Sequence, residues 1–519
     1  MVEFLFFQSN FDSKSSSMSD FLDVKSIKFE YAQLYKLRNK CILRQTLYLS
    51  ANMIKVVSIF LFISLTSCSA NISQEQKHSV SHLADLASTN WLNQSQQFLP
   101  EGEYLEWGMQ LPTQAQELLQ LAEKNNPQLS ITALRVKQAI TDYEIASGSL
   151  WPEINLQTSK RVNQSLSSSG DLTKSTNQLA TLGVGVNWEL DLWQKLASTE
   201  KQKTWTAKAQ QFALVAARQS LQSQVLITYL EVIEQNNLLK LNRNHIENQK
   251  RRLNMSITRL DNGLSTGIDI RNAKTNLYRL LESQKRINYK REQAKRRLNL
   301  LLGNYSEQKL DLQLTLPELQ QGINLLAPKD ILLNRPDVRA AEATLIAAGY
   351  SWDVAKKKML PKLTLNFNYD ARRADASELF DINYWLGSLT ASLVQPVFYQ
   401  GVLSKQAEKA YLQQQIQFEQ YKATLLDAWQ QVEAAIQNES LLSRRQELLE
   451  KAFHEAKEAE RQTEDQYNVG VTNSFELLSA QRTRTAVEVD LMVLSTARLK
   501  NRIQLILALG VPQSLTKSI

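Results

Sequence analysis

Apolar positions along this chain follow two periods, and the stretch from Leu182 to Leu260 shows both. Leu182, Val184, Val186, Trp188, Leu190 and Leu192 alternate with Thr181, Gly183, Gly185, Asn187, Glu189 and Asp191, the period-2 pattern of a strand with one apolar face. With no turn residue between, the period then changes to that of a helix, and neither Gly nor Pro occurs from Val186 to Asn262. A helix from about Trp193 to Leu260 is about 100 Å long at 1.5 Å per residue. A weaker alternation of Leu389, Ala391, Leu393 and Val397 precedes a second Gly-free and Pro-free run, Val402 to Val469.

The recurrence is a tandem duplication. Val225 in LQSQV matches Val432 in AWQQV, Gly263 matches Gly470, and Gly303 matches Gly510, all at one offset. Earlier in each half, Asn126-Pro127 matches Arg335-Pro336 and Trp151-Pro152 matches Leu360-Pro361, at an offset two residues larger. The difference arises between Pro152 and Val225, and a repeated unit that cannot bury its own face needs neighbours.

In chain order the pattern predicts short helices from Thr113 to about Asn126 and from Pro127 to Gly148, with Pro127 in a first turn. A strand follows Pro152, a Ser/Thr/Asn/Gly-rich loop covers 163–178, and then come the opening strand and the long helix. The rod turns at Gly263, with Ser265 or Thr266 to cap a return helix from Ile268 to Leu302. Residues 304–335 link the repeats. The second copy predicts a helix over 336–358, a strand over 362–370, a loop over 371–384 and a strand over 385–398. A long helix over 402–468, a turn at Gly470 and a last helix over 475–509 follow. The repeats span 127–303 and 336–510, and 511–519 is a tail.

The start of the chain reads differently. Residues 1–52 carry no period and look like an extension outside the native protein. Met53-Ile54-Lys55, the apolar Val56 to Leu65, and Leu65-Thr66-Ser67-Cys68 form an export signal over 53–67, its core too short to span a bilayer. Leu65-Thr66-Ser67-Cys68 resembles the bacterial lipobox, in which the Cys becomes the lipidated first residue, and Ser69 suits sorting to the outer membrane. Residues 68–126 form a polar tether with aromatic anchors at Trp91, Tyr104 and Trp107, ending in the first short helix.

Charge and composition remove other classes. The net charge of +8 is modest for 519 residues, and the basic side chains are scattered among Glu and Gln on helix faces, a solvated surface rather than a nucleic-acid site. The two Cys, Cys41 and Cys68, exclude a disulfide framework. His78, His82, His245 and His454 are dispersed, so no metal site or cofactor is expected. Arg335 and Asp337 read as helix-start residues, Asp337 facing the positive end of the dipole. Trp188, Trp193, Trp385 and Tyr399 near strand ends suggest an interfacial aromatic belt.

Four strands per chain, apolar on one face and carrying Gly183, Gly185, Asn187, Asn366 and Asn368 on the other, suit a lipid-facing outside and a wet lumen. They cannot stand alone in lipid, where each unpaired backbone group costs several kcal/mol. Three chains give a closed barrel of twelve strands. The short and return helices together nearly equal the long helix in length, so stacked end to end they mimic a second rod. The expected fold is an α+β membrane protein, a homotrimeric barrel continued by a long helical barrel.

Ile331-Leu332-Leu333-Asn334-Arg335-Pro336-Asp337-Val338-Arg339-Ala340-Ala341-Glu342 is very similar to the signature of the outer-membrane factor lipoproteins, relatives of TolC that serve tripartite efflux pumps. Tyr467 to Gln481 resembles the family's second periplasmic turn, and Cys68 its lipid anchor. The resemblance implies a homotrimer and no catalysis. It also implies docking to a periplasmic adaptor and to an inner-membrane transporter, commonly of the resistance-nodulation-division type. Asp465, Val471, Thr472 and Glu476 are candidates for the closed entrance. Gly263, Leu264, Ser265, Gly470 and Val471 are candidates for the turns that dock the adaptor. The family's acidic ring just after the Gly of the second turn is replaced here by Val471-Thr472-Asn473. A TolC-like channel for protein secretion and a structural coiled-coil protein are the competing readings; the latter explains the rods but neither the lipobox nor the strands.

Overall fold

A computed structural model describes residues 107–167, 173–263, 265–305, 312, 315–319 and 334–510. The expectations for 1–106, including Cys68, and for Leu264 lie outside these residues. The elements are α1 (Thr113–Asn125), α2 (Pro127–Gly148), β1 (Glu153–Ser167), β2 (Thr173–Leu190), α3 (Lys195–Asp261) and α4 (Gly267–Leu301). They continue with α5 (Pro336–Lys357), β3 (Lys362–Arg373), β4 (Trp385–Val394), α6 (Val402–Asn468) and α7 (Ser474–Leu509).

The four strands form one antiparallel sheet in sequence order, β1-β2-β3-β4. Its register sorts the side chains by face. Ile154, Val186, Phe367 and Leu389 lie across from one another on one side, as do Trp188, Leu365 and Ala391. Asn155, Gly185, Asn368 and Ser388 line up on the other, as do Asn187, Asn366 and Thr390. Gly183 is needed on the polar face, because a Cβ there would stand 2.3 Å from that of Asp370.

Three boundaries differ from expectation. The polar segment 163–178 is mostly strand: β1 runs to Ser167 and β2 starts at Thr173, paired throughout. Ladder hydrogen bonds are indifferent to side-chain polarity, so Thr, Ser and Asn extend a hairpin that hydropathy reads as loop. β3 continues to Arg373, and the rest of the expected loop holds two 3-10 turns, Ala376–Phe380 and Ile382–Tyr384. β4 stops at Val394, before Pro396, which has no N–H to give a ladder.

The strand-to-helix passage contains turn residues after all. Gln194 adopts φ 59°, and Gln400 and Gly401 adopt φ 50° and 74°, left-handed conformations that end β2 and β4 extensions and start α3 and α6. In the first passage, Asp191 accepts from the N–H groups of Leu196 and Ala197 at 3.0 and 2.8 Å and satisfies the opening turn. α3 and α6 each contain 67 residues. Their starts and ends are equally spaced in the two repeats, so the two-residue difference lies in the strand hairpins.

α2 and α4 both pack on α3, α5 and α7 both pack on α6, and α5 and α7 also lie against α3. The paired helices meet end to end. Asn126, which caps α2, donates from Nδ2 to the Leu301 carbonyl at the end of α4, 2.9 Å away. Arg335, which precedes α5, donates from Nη1 to the Ala508 carbonyl near the end of α7, also 2.9 Å away. Burial is concentrated at this level. Trp107, Leu118, Val225, Tyr229, Ile233, Leu298 and Ile503 form the main apolar cluster, and Leu312, Leu316 and Leu319 of the inter-repeat linker pack against it. Trp107 is therefore a core residue, fully buried, rather than part of a solvated tether. Trp188 and Trp193 donate to the Leu150 and Pro361 carbonyls, and Trp385 to that of Leu379, so these indoles pin the junctions at the strand ends.

Candidate entrance at the helical tips

The two helical hairpins end side by side. Gly263 adopts φ +72° and Gly470 φ +80°, and a Cβ at either meets nothing within 4 Å. Backbone conformation, not crowding, selects glycine at both turns. Asn473 caps α7, accepting from the N–H groups of Phe475 and Glu476 at 3.0 Å each. Thr266 caps α4 in a reciprocal capping box with Asp269.

Asp269 does more than cap. Its Oδ2 accepts from the Thr266 N–H at 2.9 Å, the Thr266 hydroxyl at 2.8 Å and the Ser265 hydroxyl at 2.9 Å. Its Oδ1 accepts from the hydroxyl of Ser474 in the second turn. Burial opposes its charge, but the Ser474 hydroxyl and the other donors outweigh that and lower its pKa to about 2. One carboxylate thus ties the first turn to the second.

Further along, charge pairs join the hairpins. Arg259 Nη1 donates to the Tyr467 carbonyl at 3.3 Å, and its guanidinium stacks 4.5 Å from the Tyr467 ring centroid. Arg252 of α3 bonds Glu460 of α6 at 2.9 Å, Arg484 of α7 bonds the same Glu460 at 2.7 Å, and Arg484 also pairs with Glu488. His245 of α3 closes the chain on Glu488 at 3.2 Å. Burial opposes ionisation of Glu488, yet the hydrogen bond from His245 and the Arg484 charge hold its carboxyl below the usual range. A cavity of about 50 Å³ remains between Gln249, Met255, Tyr467, Phe475 and Gln481, so the hairpins are tied by polar contacts over an incompletely filled seam.

Of the expected entrance residues, Asp465 at the end of α6, Val471 and Glu476 are exposed and Thr472 is half-buried, and they do not converge within one chain. Asp465 pairs with Arg461 one turn back at 3.4 Å, and the Thr472 hydroxyl donates to Glu476. Val471 is exposed along with Val469 and Phe475, and Ser265 serves Asp269. Sequence reasoning missed Asp269, Arg252, Arg259 and Glu460. Thr266-x-x-Asp269 is a capping-box spacing and was legible as such, but its reach to Ser474 needed the second hairpin alongside. Among the described residues no group of three or more His, Cys, Asp or Glu is placed to hold a metal ion.

The chain as a whole is similar to known proteins. The pyoverdine export outer membrane protein OpmQ of Pseudomonas putida is 26% identical over 431 residues, covering 80% of this chain and 89% of its own length. The cation efflux system protein CusC of Escherichia coli is 25% identical over 410 residues, covering 76% of this chain and 86% of its own. The crystal structure of the open state of the Neisseria gonorrhoeae MtrE outer membrane channel superposes with a TM-score of 0.73 at 22% identity, covering 82% of this chain and 96% of that one. It shares the fold. The sequence profile of the outer membrane efflux proteins matches residues 118–304 and 327–511, one match per repeat and most of the chain. With both repeats matched in register, the chain belongs to the outer membrane efflux protein family.

Proposed function

We propose that this outer membrane efflux protein forms one third of a trimeric passive duct, a twelve-stranded barrel in the outer membrane continued by a periplasmic tunnel of helices. The observation that carries this reading is the open sheet. Among the described residues β1 and β4 each have one neighbour, and the sheet has one apolar and one polar face. In hydrocarbon such edges cost several kcal/mol per unpaired group, and pairing β4 of one copy with β1 of the next removes both. β2 and β4 lead through short left-handed turns into α3 and α6, each about 100 Å long, which carry the tunnel away from the membrane.

Substrates enter at the helical tips. A periplasmic adaptor docks on the turns around Gly263 and Gly470, and an inner-membrane transporter, resistance-nodulation-division in type, selects and drives the cargo. The relatives' names speak of pyoverdine export and of cation efflux, which suits a generic duct whose partner chooses. Cys68 is lipidated and adds an anchor, each buried CH₂ of its acyl chains contributing about 0.8 kcal/mol.

The test is purification from membranes followed by light scattering and planar-bilayer recording. A detergent-soluble trimer with discrete channel currents is expected, and a monomer without conductance defeats the reading. Cys68→Ala is expected to abolish labelling with radioactive palmitate. An epitope inserted at Ser168 is expected to be reachable on intact cells and one at Ser265 unreachable; the reverse pattern inverts the topology.

A further inference from the structure

Strand alternation puts few charges on the polar face of the sheet. Within β1 to β4 they are Glu153, Arg161, Glu189, Lys362, Asp370 and Arg372. At the end nearest the helices the signs balance. Glu153 and Glu189 stand against Lys362 and Lys195, and both lysines bond Glu189. Towards the β1–β2 hairpin, the exposed Arg372 holds Asp370, which lies buried beneath it against Gly183. That leaves Arg161, which is exposed and has no ion pair among the described residues.

The height of Arg161 follows from the opposite face. There the apolar rows end at Leu182, Ala371 and Trp385, and the next row outward is Lys160, Ala180 and Arg373. Arg161 follows Lys160 and points the other way, so it stands inside the barrel at the outer rim of the lipid-facing band. The loop between β3 and β4 does not cover it. Its two 3-10 turns fold over the apolar face, where Leu379 packs on Ala180 and Ala371, and they leave the polar face open.

We propose that Arg161 of the three copies forms a basic ring at the outer mouth of the duct, a site for anionic solutes bearing carboxylate or phosphate groups as they leave. It rests on the trimeric duct above and gives its exit a preference of charge. Closing the barrel does not neutralise the ring. β4, which pairs with β1 of the next copy in that reading, presents Leu386, Ser388, Thr390, Ser392 and Val394 on this face and no acid. A wet passage with low-dielectric walls concentrates the field of such charges, and rings of Arg or Lys are the element that favours anions in pores. Glu153 lies about 27 Å away along β1, beyond the screening length of about 8 Å at physiological salt, so the ring acts on its own end.

Planar-bilayer recording of the full-length protein tests the ring, with inositol hexakisphosphate as the polyanion probe. Added on the barrel side, it is expected to block wild-type current, and less so as KCl rises. Arg161→Gln removes a charge that has no partner within the chain. It is expected to raise the half-blocking concentration about tenfold and to shift the reversal potential in a KCl gradient toward potassium. Arg161→Lys is expected to keep the block. Lys160→Gln removes an equal charge one residue away on the apolar face and is expected to leave block and reversal potential as in wild type. Wild-type current that the probe does not block overturns the ring and leaves the duct standing. So does a block unchanged in Arg161→Gln, or weakened equally in Lys160→Gln. Absence of any channel current overturns the duct and the ring together.

Discussion

Asn126 and Arg335 close the same joint in the two repeats with different chemistry. The first donates its amide to Leu301, the second its guanidinium to Ala508, and each donor precedes the proline that opens the next helix. Arg335 also grips Asp337 through two bonds, at 3.1 and 2.7 Å, and reaches Gln431 of α6 at 2.8 Å. Burial opposes ionisation of Asp337, and the paired guanidinium prevails, holding its carboxyl below the usual range. Arg335 and Asp337, within the stretch that resembles a family signature, thus splice two stacked helices.

Arg335→Ala is expected to destabilise the fold by about 2–3 kcal/mol, less than a fully buried pair because Asp337 stays partly open to water. Arg335→Lys keeps the charge and loses the two-pronged grip, so it recovers less than half. Asn126→Ala loses only a neutral cap and costs about 1 kcal/mol. Thermal unfolding followed by circular dichroism ranks the three, and an Arg335→Ala midpoint equal to wild type contradicts the splice.

At the tips, Asp269→Ala releases all its donors at once, including the link to Ser474. Each exposed contact there contributes roughly 0–1 kcal/mol, so the closed state shifts without being abolished. Higher single-channel conductance and greater vancomycin sensitivity are expected than for Asp465→Ala, Thr472→Ala or Glu476→Ala alone, whose partners lie on their own segment. If Asp269→Ala conducts like wild type while the triple variant leaks, the constriction lies at 465–476.

Acid separates the same contact from its neighbours. The folded pKa of Asp269, about 2, lies below the ordinary aspartate value of 3.8. Its contribution is therefore complete above the ordinary value and is lost as pH falls through the folded one. Lowering the pH from 7 to 5 is expected to leave this latch unchanged, and its release to appear only between about pH 4 and pH 2. Conductance recorded in acid, with Asp269→Asn as the control already released, reads it; a latch-dependent change near neutrality shows another group in control.

Gly470→Val places a β-branched residue at φ +80°, a conformation it adopts poorly. The turn is expected to distort, with efflux lost in cells while barrel assembly persists, since nothing else packs on that position. Gly470→Asn, which tolerates the left-handed region, is expected to retain most activity. Normal efflux in the Val variant removes this turn from adaptor docking.

Periodicity by itself determined the four strands, the two rods of equal length, the duplication and the glycine turns. These are local properties: apolar spacing and a missing Cβ act within a few residues of themselves. Where the sequence misled, the deciding partner was distant. Residues 163–167 and 173–178 have no hydrophobic reason to be strand and become so because the two stretches pair with each other. Gln194 makes a left-handed turn that composition does not announce, stabilised by Asp191 and by the helix that follows. Trp107 looked like part of a polar tether and is core because α1, α3 and α7 close over it. Only the tertiary structure decided the latch, because Asp269 and Ser474 stand 205 residues apart. Spacing along one helix places a carboxylate on a face, but which hydroxyl meets it depends on how two hairpins are laid side by side.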